Sequence, residues 1–185
     1  GNDSKDITGL LALVDPSPST GTVGGFDAST NSWWRNIQAS GAKTTTGYDN
    51  LVSKMSTMYN TTSHGKKDHV DLILTDQTTY EGYESLMTNT INFNVGQANL
   101  RKADLGWENF SYKGASIMYD HDCTAGYMYF LNTNYFGLHA DKETYFEPMP
   151  FQRAGNQDAR TGLVLLYAEM TISNRSRQGV LTACT

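Results

Sequence analysis

An amphipathic helix followed by a short apolar strand is the sequence feature that most constrains the fold. From Thr46 onward, apolar side chains recur every three to four residues and form one face of a predicted helix, namely Tyr48, Leu51, Val52, Met55, Met58 and Tyr59. Thr46 is the predicted N-cap of this helix. Residues 70–75 are densely apolar and predict a buried strand. Asp76 is then predicted to cap a second helix, whose inward face carries Tyr80, Tyr83 and Met87.

The sequence after the second helix predicts a loop and then several strands. Residues 89–102 have neither a helical nor a strand period, which predicts a loop. Apolar residues alternate on both sides of Lys113-Gly114, which predicts a bend or bulge at the glycine. Further strands are predicted at residues 127–131, 135–139 and 162–172, with a turn at Asp141-Lys142 that leads to Tyr145-Phe146. The predicted fold class is therefore α+β, with a mixed, mostly antiparallel sheet and two short-to-medium helices.

Two regions follow from the composition along the chain. Residues 1–46 are rich in Gly, Ser, Thr, Asn and Pro, which predicts an extended loop with short strands. Residues 47–185 are predicted to form a single α+β domain, and no separable linker is visible. The first region contains Trp33, Trp34 and Arg35, a combination that interface hot spots favour, although the two indoles could equally anchor the loop on the core.

Charge and length exclude several classes of protein. The 185 residues carry a net charge of −5, and only 18% of them are charged, which argues against specific nucleic-acid recognition. No apolar run is long enough for a membrane helix, so no membrane partner is expected. The two cysteines, Cys123 and Cys184, are predicted to be free thiols. Arg175 and Arg177 form the only compact basic element, either as a solvated turn or as a grip on a neighbouring acidic subunit.

No pattern of catalytic residues stands out. The run Asp120-His121-Asp122-Cys123 holds three ligand types for a metal, but successive residues of a strand point to opposite faces, and a polar turn explains the run equally well. The sequence contains no G-x-S-x-G motif and no P-loop lysine after its Gly-rich segment. We therefore predict a protein that is not an enzyme, with no catalytic residue, metal ligand or cofactor.

Two functions from other classes remain open at this point. Trp33, Trp34 and Trp107 could form an aromatic platform for a sugar or a peptide. A metal-dependent hydrolase could be built on the cluster around His121.

Several segments resemble one group of tailed-bacteriophage major capsid proteins. Residues 21–27 (GTVGGFD) and 31–36 (NSWWRN) resemble a signature of that group, and residues 71–84, 130–135 and 174–181 resemble it in the same order. The resemblance implies the shell-forming Johnson-type fold. It also implies a structural subunit of an icosahedral shell, which self-assembles into pentamers and hexamers around the packaged DNA. Assembly would occur in the host bacterial cytoplasm, with scaffold, portal or decoration proteins as further partners.

The chain also departs from the family pattern. No long spine helix, N-terminal arm or extended loop is visible in the sequence. We therefore expect a C-terminal fragment, made of the axial domain and part of the peripheral domain, which forms a monomer or small ring rather than a closed shell. The predicted subunit contacts are Trp33, Trp34, Arg35, Arg175 and Arg177.

Overall fold

The computed structural model describes residues 6–41, 48, 50–65, 68–94, 110–153, 155, 158 and 160–184. Three α-helices lie in this part of the chain: α1 (Leu10–Leu13), α2 (Leu51–Thr62) and α3 (Gln77–Asn94). Its strands are β1 (Thr22–Val23), β2 (Phe26–Asp27), β3 (Ile37–Ser40), β4 (Leu72–Thr75), β5 (Phe110–Tyr112), β6 (Ala115–Tyr119), β7 (Met128–Leu131), β8 (Phe136–Pro148), β9 (Gln152–Arg153), β10 (Arg160–Thr161), β11 (Val164–Ile172) and β12 (Gly179–Thr182). None of the described helices is long and apolar enough to cross a membrane.

A six-stranded sheet forms the centre of the molecule, in the order β3-β12-β7-β4-β6-β5. Neighbouring strands run antiparallel in three pairs and parallel in two, β12 with β3 and β4 with β6. The predicted mixed, mostly antiparallel sheet is confirmed. The last strand, β12, lies inside the sheet, and β3 from the region before residue 46 pairs with it from Gly179 opposite Ile37 to Thr182 opposite Ser40.

One face of the sheet is covered by α2 and α3. Leu51, Met55 and Met58 of α2 are at most 1% exposed, and Val52 and Tyr59 are half-buried against the same cluster. The predicted core face of this helix is therefore confirmed. The helix begins at Leu51 with Asn50 as its N-cap residue, so the predicted N-cap is wrong; Thr46 itself lies outside the described residues.

The second helix is longer than predicted. Asp76 does precede α3, and its carboxylate accepts a hydrogen bond from the Thr79 hydroxyl at 2.5 Å. The helix continues to Asn94, so the predicted loop does not begin at residue 89. The backbone can continue as a helix through this polar stretch because Asn and Thr lower helix propensity only slightly. The rest of the predicted loop, residues 95–102, lies outside the described residues.

The opposite face of the sheet packs against the N-terminal segment. Strand β7 is buried at every position, with Phe130 in the cluster under α2 and Tyr129 in the cluster on the other face. Leu13, Val14 and Trp34 cover Tyr129 on that side. A strand buried on both faces reads as a continuous apolar run, which is why residues 127–131 were recognisable as a strand but not assignable to a face.

Lys113 and Gly114 form a hairpin turn rather than a bend within one strand. Their φ angles are +50° and +89°, and Tyr112 lies opposite Ala115, so β5 and β6 are antiparallel neighbours. Two consecutive positive φ angles are what a type I′ hairpin turn requires, and the predicted bend or bulge is therefore wrong. The Lys113 ammonium donates to Ser56 Oγ and Asn60 Oδ1, each at 3.0 Å, which ties the turn to α2.

Strands β8 and β11 pair with each other and form a long two-stranded sheet, separate from the six-stranded one. We call this two-stranded sheet the ribbon. The predicted turn at Asp141-Lys142 does not reverse the chain, since Tyr145 still pairs with Leu166 on β11. Residues 141–144 instead form a bulge opposite Tyr167, and the Thr144 hydroxyl donates to the Asp141 carboxylate at 2.6 Å. A bulge of this kind leaves its residues unpaired but keeps the strand direction.

Candidate subunit-contact site

The Trp33-Trp34 segment lies beside a small hairpin. Strands β1 and β2 are joined by Gly24 and Gly25, whose φ angles are +61° and +81°. Two positive φ angles suit the right-handed twist of the strands, and glycine adopts them without steric cost. The ring of Phe26 on β2 packs edge-on against Trp33, with centroids 5.3 Å apart, and at a tilt against Trp34, with centroids 5.4 Å apart.

The two tryptophans have different environments. Trp34 is 8% exposed, packs in the core cluster with Tyr129, and donates its indole N–H to the carbonyl of Val23 at 2.9 Å. Trp33 is 59% exposed and Phe26 is 44% exposed. Trp34 therefore anchors the segment, whereas Trp33 and Phe26 present an apolar edge to solvent.

Arg35 organises the loop below these rings. Its Nε donates to the carbonyl of Ala28 at 2.6 Å, and its Nη2 donates to the carbonyl of Ser29 at 2.9 Å. The Asp27 carboxylate accepts a hydrogen bond from the Ser29 N–H at 2.8 Å, and that bond lowers the pKa of Asp27. Both charged side chains therefore form hydrogen bonds with the backbone of the loop that leads to Trp33.

Arg175 is not on the surface. Its side chain is 0% exposed, its Nε donates to the carbonyl of Leu13 at 2.7 Å, and its Nη2 donates to Asn36 Oδ1 at 3.0 Å. Asn36 in turn exchanges hydrogen bonds with the backbone of Asp15. Burial lowers the pKa of Arg175, and the nearby Asp15 carboxylate opposes that effect. The interpretation as a solvated turn is wrong for Arg175, because the N-terminal segment covers the side chain and accepts hydrogen bonds from its Nε and Nη2.

Arg177 also binds within the chain. Its Nε lies 3.1 Å from Asp68 Oδ2, and the two side chains are 22% and 27% exposed. The other oxygen of Asp68 accepts from the side-chain amide of Asn132 at 2.8 Å. The five predicted contact residues therefore divide: Trp33 is exposed, and the other four hold parts of this chain together.

The His121 segment forms a polar turn after β6. The N–H of Asp122 donates to the Asp120 carboxylate at 3.0 Å, and the N–H of Cys123 donates to the Asp120 carbonyl at 3.2 Å. Within the described part of the chain, no three His, Cys, Asp or Glu side chains are grouped to hold a metal ion. Of the two interpretations of this segment, the polar turn is the one that these hydrogen bonds describe.

Of the two cysteines, Cys184 is buried and Cys123 is half-buried. Cys123 and Cys184 are free thiols, and burial raises the pKa of Cys123 to about 11 and that of Cys184 to about 12.

The aromatic platform would need the faces of Trp34 and Trp107. Trp34 is buried, and Trp107 lies outside the described residues.

The sequence did not predict that the ribbon exposes large apolar side chains. Large apolar side chains remain exposed along it and at its tip: Leu138, Tyr145, Phe146, Met149, Phe151, Leu163, Val164 and Tyr167. The density of these residues between positions 138 and 167 was visible in the sequence. Only the pairing of β8 with β11, away from the central sheet, shows that they are not core.

Comparison with known proteins agrees with this architecture. No protein-family model matches the chain, and no curated protein matches it. A solved structure, the cyanophage A-1(L) capsid asymmetric unit, matches 96% of this chain with a TM-score of 0.69 and 17% sequence identity. The match spans 60% of the length of that capsid chain. This chain therefore has the fold of a phage capsid protein, as its resemblance to the tailed-phage group predicted.

Proposed function

We propose that this chain is a structural subunit of a bacteriophage icosahedral capsid. The observation that carries the proposal is the fold shared with a cyanophage capsid chain over 96% of the residues. The role is structural rather than catalytic, and the main partner is other copies of the same chain. In the assembled shell these copies form pentamers and hexamers around the DNA genome.

The exposed aromatic edge of Phe26 and Trp33 supports this proposal. An indole 59% exposed is an unusual surface residue, and aromatic side chains are enriched where proteins contact each other. Trp34 and Arg35 fix the loop from below, so Trp33 loses little further freedom on binding. We assign Trp33 to a subunit contact, with Trp34 and Arg35 as its support.

Location and further partners follow from the same proposal. The chain would reside in the virion capsid after assembly in the host bacterial cytoplasm. Scaffold, portal or decoration proteins would contact it during or after shell formation. We assign no direct part in these contacts to Arg175, which is 0% exposed, or to Arg177, whose Nε lies 3.1 Å from the Asp68 carboxylate.

Light scattering and negative-stain electron microscopy of this chain, from micromolar to millimolar concentration, test the proposal. We expect association that grows with concentration, with class averages of five-fold or six-fold rings. Trp33→Ala should weaken association at an unchanged Tm. A chain that shows no association up to millimolar concentration and binds an oligosaccharide through Trp33 instead would refute the proposal.

A further inference from the structure

Residues 23–35, which we call the Trp33 loop, are held together by hydrogen bonds of their own. The indole N–H of Trp34 donates to the Val23 carbonyl, and the guanidinium of Arg35 donates to the two carbonyls of residues 28 and 29. All of these acceptors lie within the loop itself. The bonds therefore fix the shape of the loop, but they do not fix its direction relative to the central sheet.

Apolar packing alone does not fix that direction either. The Trp34 ring packs in the cluster around Tyr129, and such a contact stabilises through buried area without a preferred angle. Hydrogen bonds are directional, since they weaken steeply when the donor, hydrogen and acceptor depart from a line. The direction of the Trp33 loop therefore depends on where its end forms hydrogen bonds with other parts of the chain.

Asn36 lies at the end of the loop and forms such bonds. It is 3% exposed and directly precedes β3. Its side-chain oxygen accepts from the Asp15 N–H at 3.2 Å and from Arg175 Nη2 at 3.0 Å. Its side-chain nitrogen donates to the Asp15 carbonyl at 2.8 Å and to the Ile37 carbonyl at 3.4 Å. One buried amide therefore joins the N-terminal segment, the turn at Arg175 and the start of β3.

The amide of Asn36 uses its full hydrogen-bonding capacity. An asparagine side chain has two donor hydrogens and two acceptor lone pairs, and here two bonds are donated and two are accepted. A buried polar group with every site paired makes its surroundings rigid, whereas a group that lacks a partner costs stability. The amide thus favours one orientation, which sets the course of the backbone between the Trp33 loop and β3.

The parts of the chain that Asn36 joins are themselves fixed to the core. Arg175 is 0% exposed and donates from Nε to the Leu13 carbonyl at 2.7 Å. The Gln178 carbonyl accepts from the N–H of Ile37 at 2.9 Å, where the pairing of β3 with β12 begins. Because these neighbours are held in place, a change at Asn36 is transmitted to the loop that precedes it.

We propose that Asn36 is a positioning residue for the subunit contact assigned to Trp33. It acts through the Trp33 loop, because a side chain that is 3% exposed offers almost no surface to another subunit. Trp33 lies three residues earlier and is 59% exposed, so a rotation of the backbone at Asn36 turns the indole relative to the central sheet. This inference rests on the proposed function, since it names the residue that orients the same contact.

Asn36→Asp tests this role with almost no change of shape. The carboxylate still accepts from the Asp15 N–H and from Arg175, but it cannot donate to the carbonyls of Asp15 and Ile37 and repels them. With fluorotryptophan in place of tryptophan, the fluorine resonance of Trp33, identified by its loss in Trp33→Ala, reports the surroundings of the indole. We expect this resonance to shift or broaden in Asn36→Asp. We expect the dissociation constant for self-association, measured by analytical ultracentrifugation, to rise about tenfold.

Asn132→Asp is the matched control. Asn132 is also buried, at 1% exposed, and its side-chain nitrogen donates to Asp68 Oδ1 at 2.8 Å. The substitution places two carboxylates together, so we expect a lower Tm, as for Asn36→Asp. Asn132 directly follows β7, outside the Trp33 loop, so we expect the resonance of Trp33 and the dissociation constant to match the wild type. Equal changes in both variants would show a general effect of lost stability and would overturn the proposal. Asn36→Ser and Asn132→Ser, which add no charge, give the same comparison if either aspartate variant does not fold.

The Trp33→Ala background separates a positioning role from a purely structural one. If Asn36 acts through Trp33, Asn36→Asp does not raise the dissociation constant further once the indole is absent, whereas independent effects add. Additive effects, or an unchanged Trp33 resonance in Asn36→Asp, would mean that Asn36 does not orient the contact, and the proposed function would stand. If the wild type shows no association up to millimolar concentration and binds an oligosaccharide through Trp33, the proposed function is wrong, and the resonance alone decides whether Asn36 positions the indole.

Discussion

Replacing Arg175 by methionine separates an internal role of this side chain from a role in subunit contact. Methionine has a similar length and apolar stem but no donors. The change therefore removes the hydrogen bonds to the Leu13 carbonyl at 2.7 Å and to Asn36 Oδ1 at 3.0 Å. The Leu13 carbonyl then loses its guanidinium donor at a buried site, while Asn36 Oδ1 keeps its bond from the Asp15 N–H.

The size of the effect follows from those two bonds. Hydrogen bonds to a charged donor contribute about 1.5–3 kcal/mol each, so the two together are worth roughly 3–6 kcal/mol. Removing the buried guanidinium, whose donor Nη1 has no hydrogen-bond partner in the described structure, recovers part of its desolvation cost. We expect a net loss of about 3 kcal/mol in the free energy of unfolding. For a chain of this size that corresponds to a fall in Tm of roughly 6–12 °C.

Urea denaturation followed by tryptophan fluorescence measures this loss. Arg177→Met is the control, because that side chain is 22% exposed and makes a single ion pair, which contributes about 1 kcal/mol at most. If Arg175→Met unfolds at the same urea concentration as the wild type, the hydrogen bonds of Arg175 do not stabilise the fold. If it also loses self-association at unchanged stability, the surface role expected from the sequence was correct.

Three further predictions concern the core and the thiols. Trp34→Ala should cost about 3–5 kcal/mol because it removes a buried indole, whereas Trp33→Ala, at a side chain 59% exposed, should leave the Tm unchanged in calorimetry. Gly179→Ala should cost about 1–3 kcal/mol in urea denaturation, because a Cβ there would lie 2.5 Å from a methionine sulfur of α2. Burial raises the pKa of Cys123 to about 11 and of Cys184 to about 12, so the unfolded chain loses these protons first. Stability should therefore fall as pH rises above about 9, and less so in a Cys123→Ser, Cys184→Ala double variant.

Each of these predictions has a result that contradicts it. Equal melting temperatures for Trp34→Ala and the wild type would mean that the indole does not anchor the loop. A Gly179→Ala protein as stable as the wild type would mean that α2 does not pack closely on β12. Identical pH dependence in the wild type and the double cysteine variant would assign the alkaline loss to other groups.

Local patterns were sufficient for the core face of α2, the start of α3 and the buried strands β4 and β7. The inward face of α2 was predictable because a helix repeats every 3.6 residues, so Leu51, Met55 and Met58 mark its buried side without reference to the rest of the chain. The buried strand β4 was predictable from its apolar run. The aromatic and arginine composition of residues 31–36 also marked them as unusual, and the likeness to capsid proteins could be seen from short segments in their order.

Contacts between distant residues decided what those patterns left open. Arg175 and Leu13 are far apart in sequence. The guanidinium is buried only because the N-terminal segment packs over the short 3-10 helix Arg175–Arg177. The ends of β8 pair with β11 across a bulge at residues 141–144, a register that polar residues in the middle cannot specify locally. The sequence by itself determined the inward face of α2, the buried strands β4 and β7 and the fold class, because the periodicity of a helix and the apolar run of a buried strand are both local. Which arginine is buried, which tryptophan is exposed and where the ribbon stands free were decided only by tertiary structure, because each depends on which distant segment covers it.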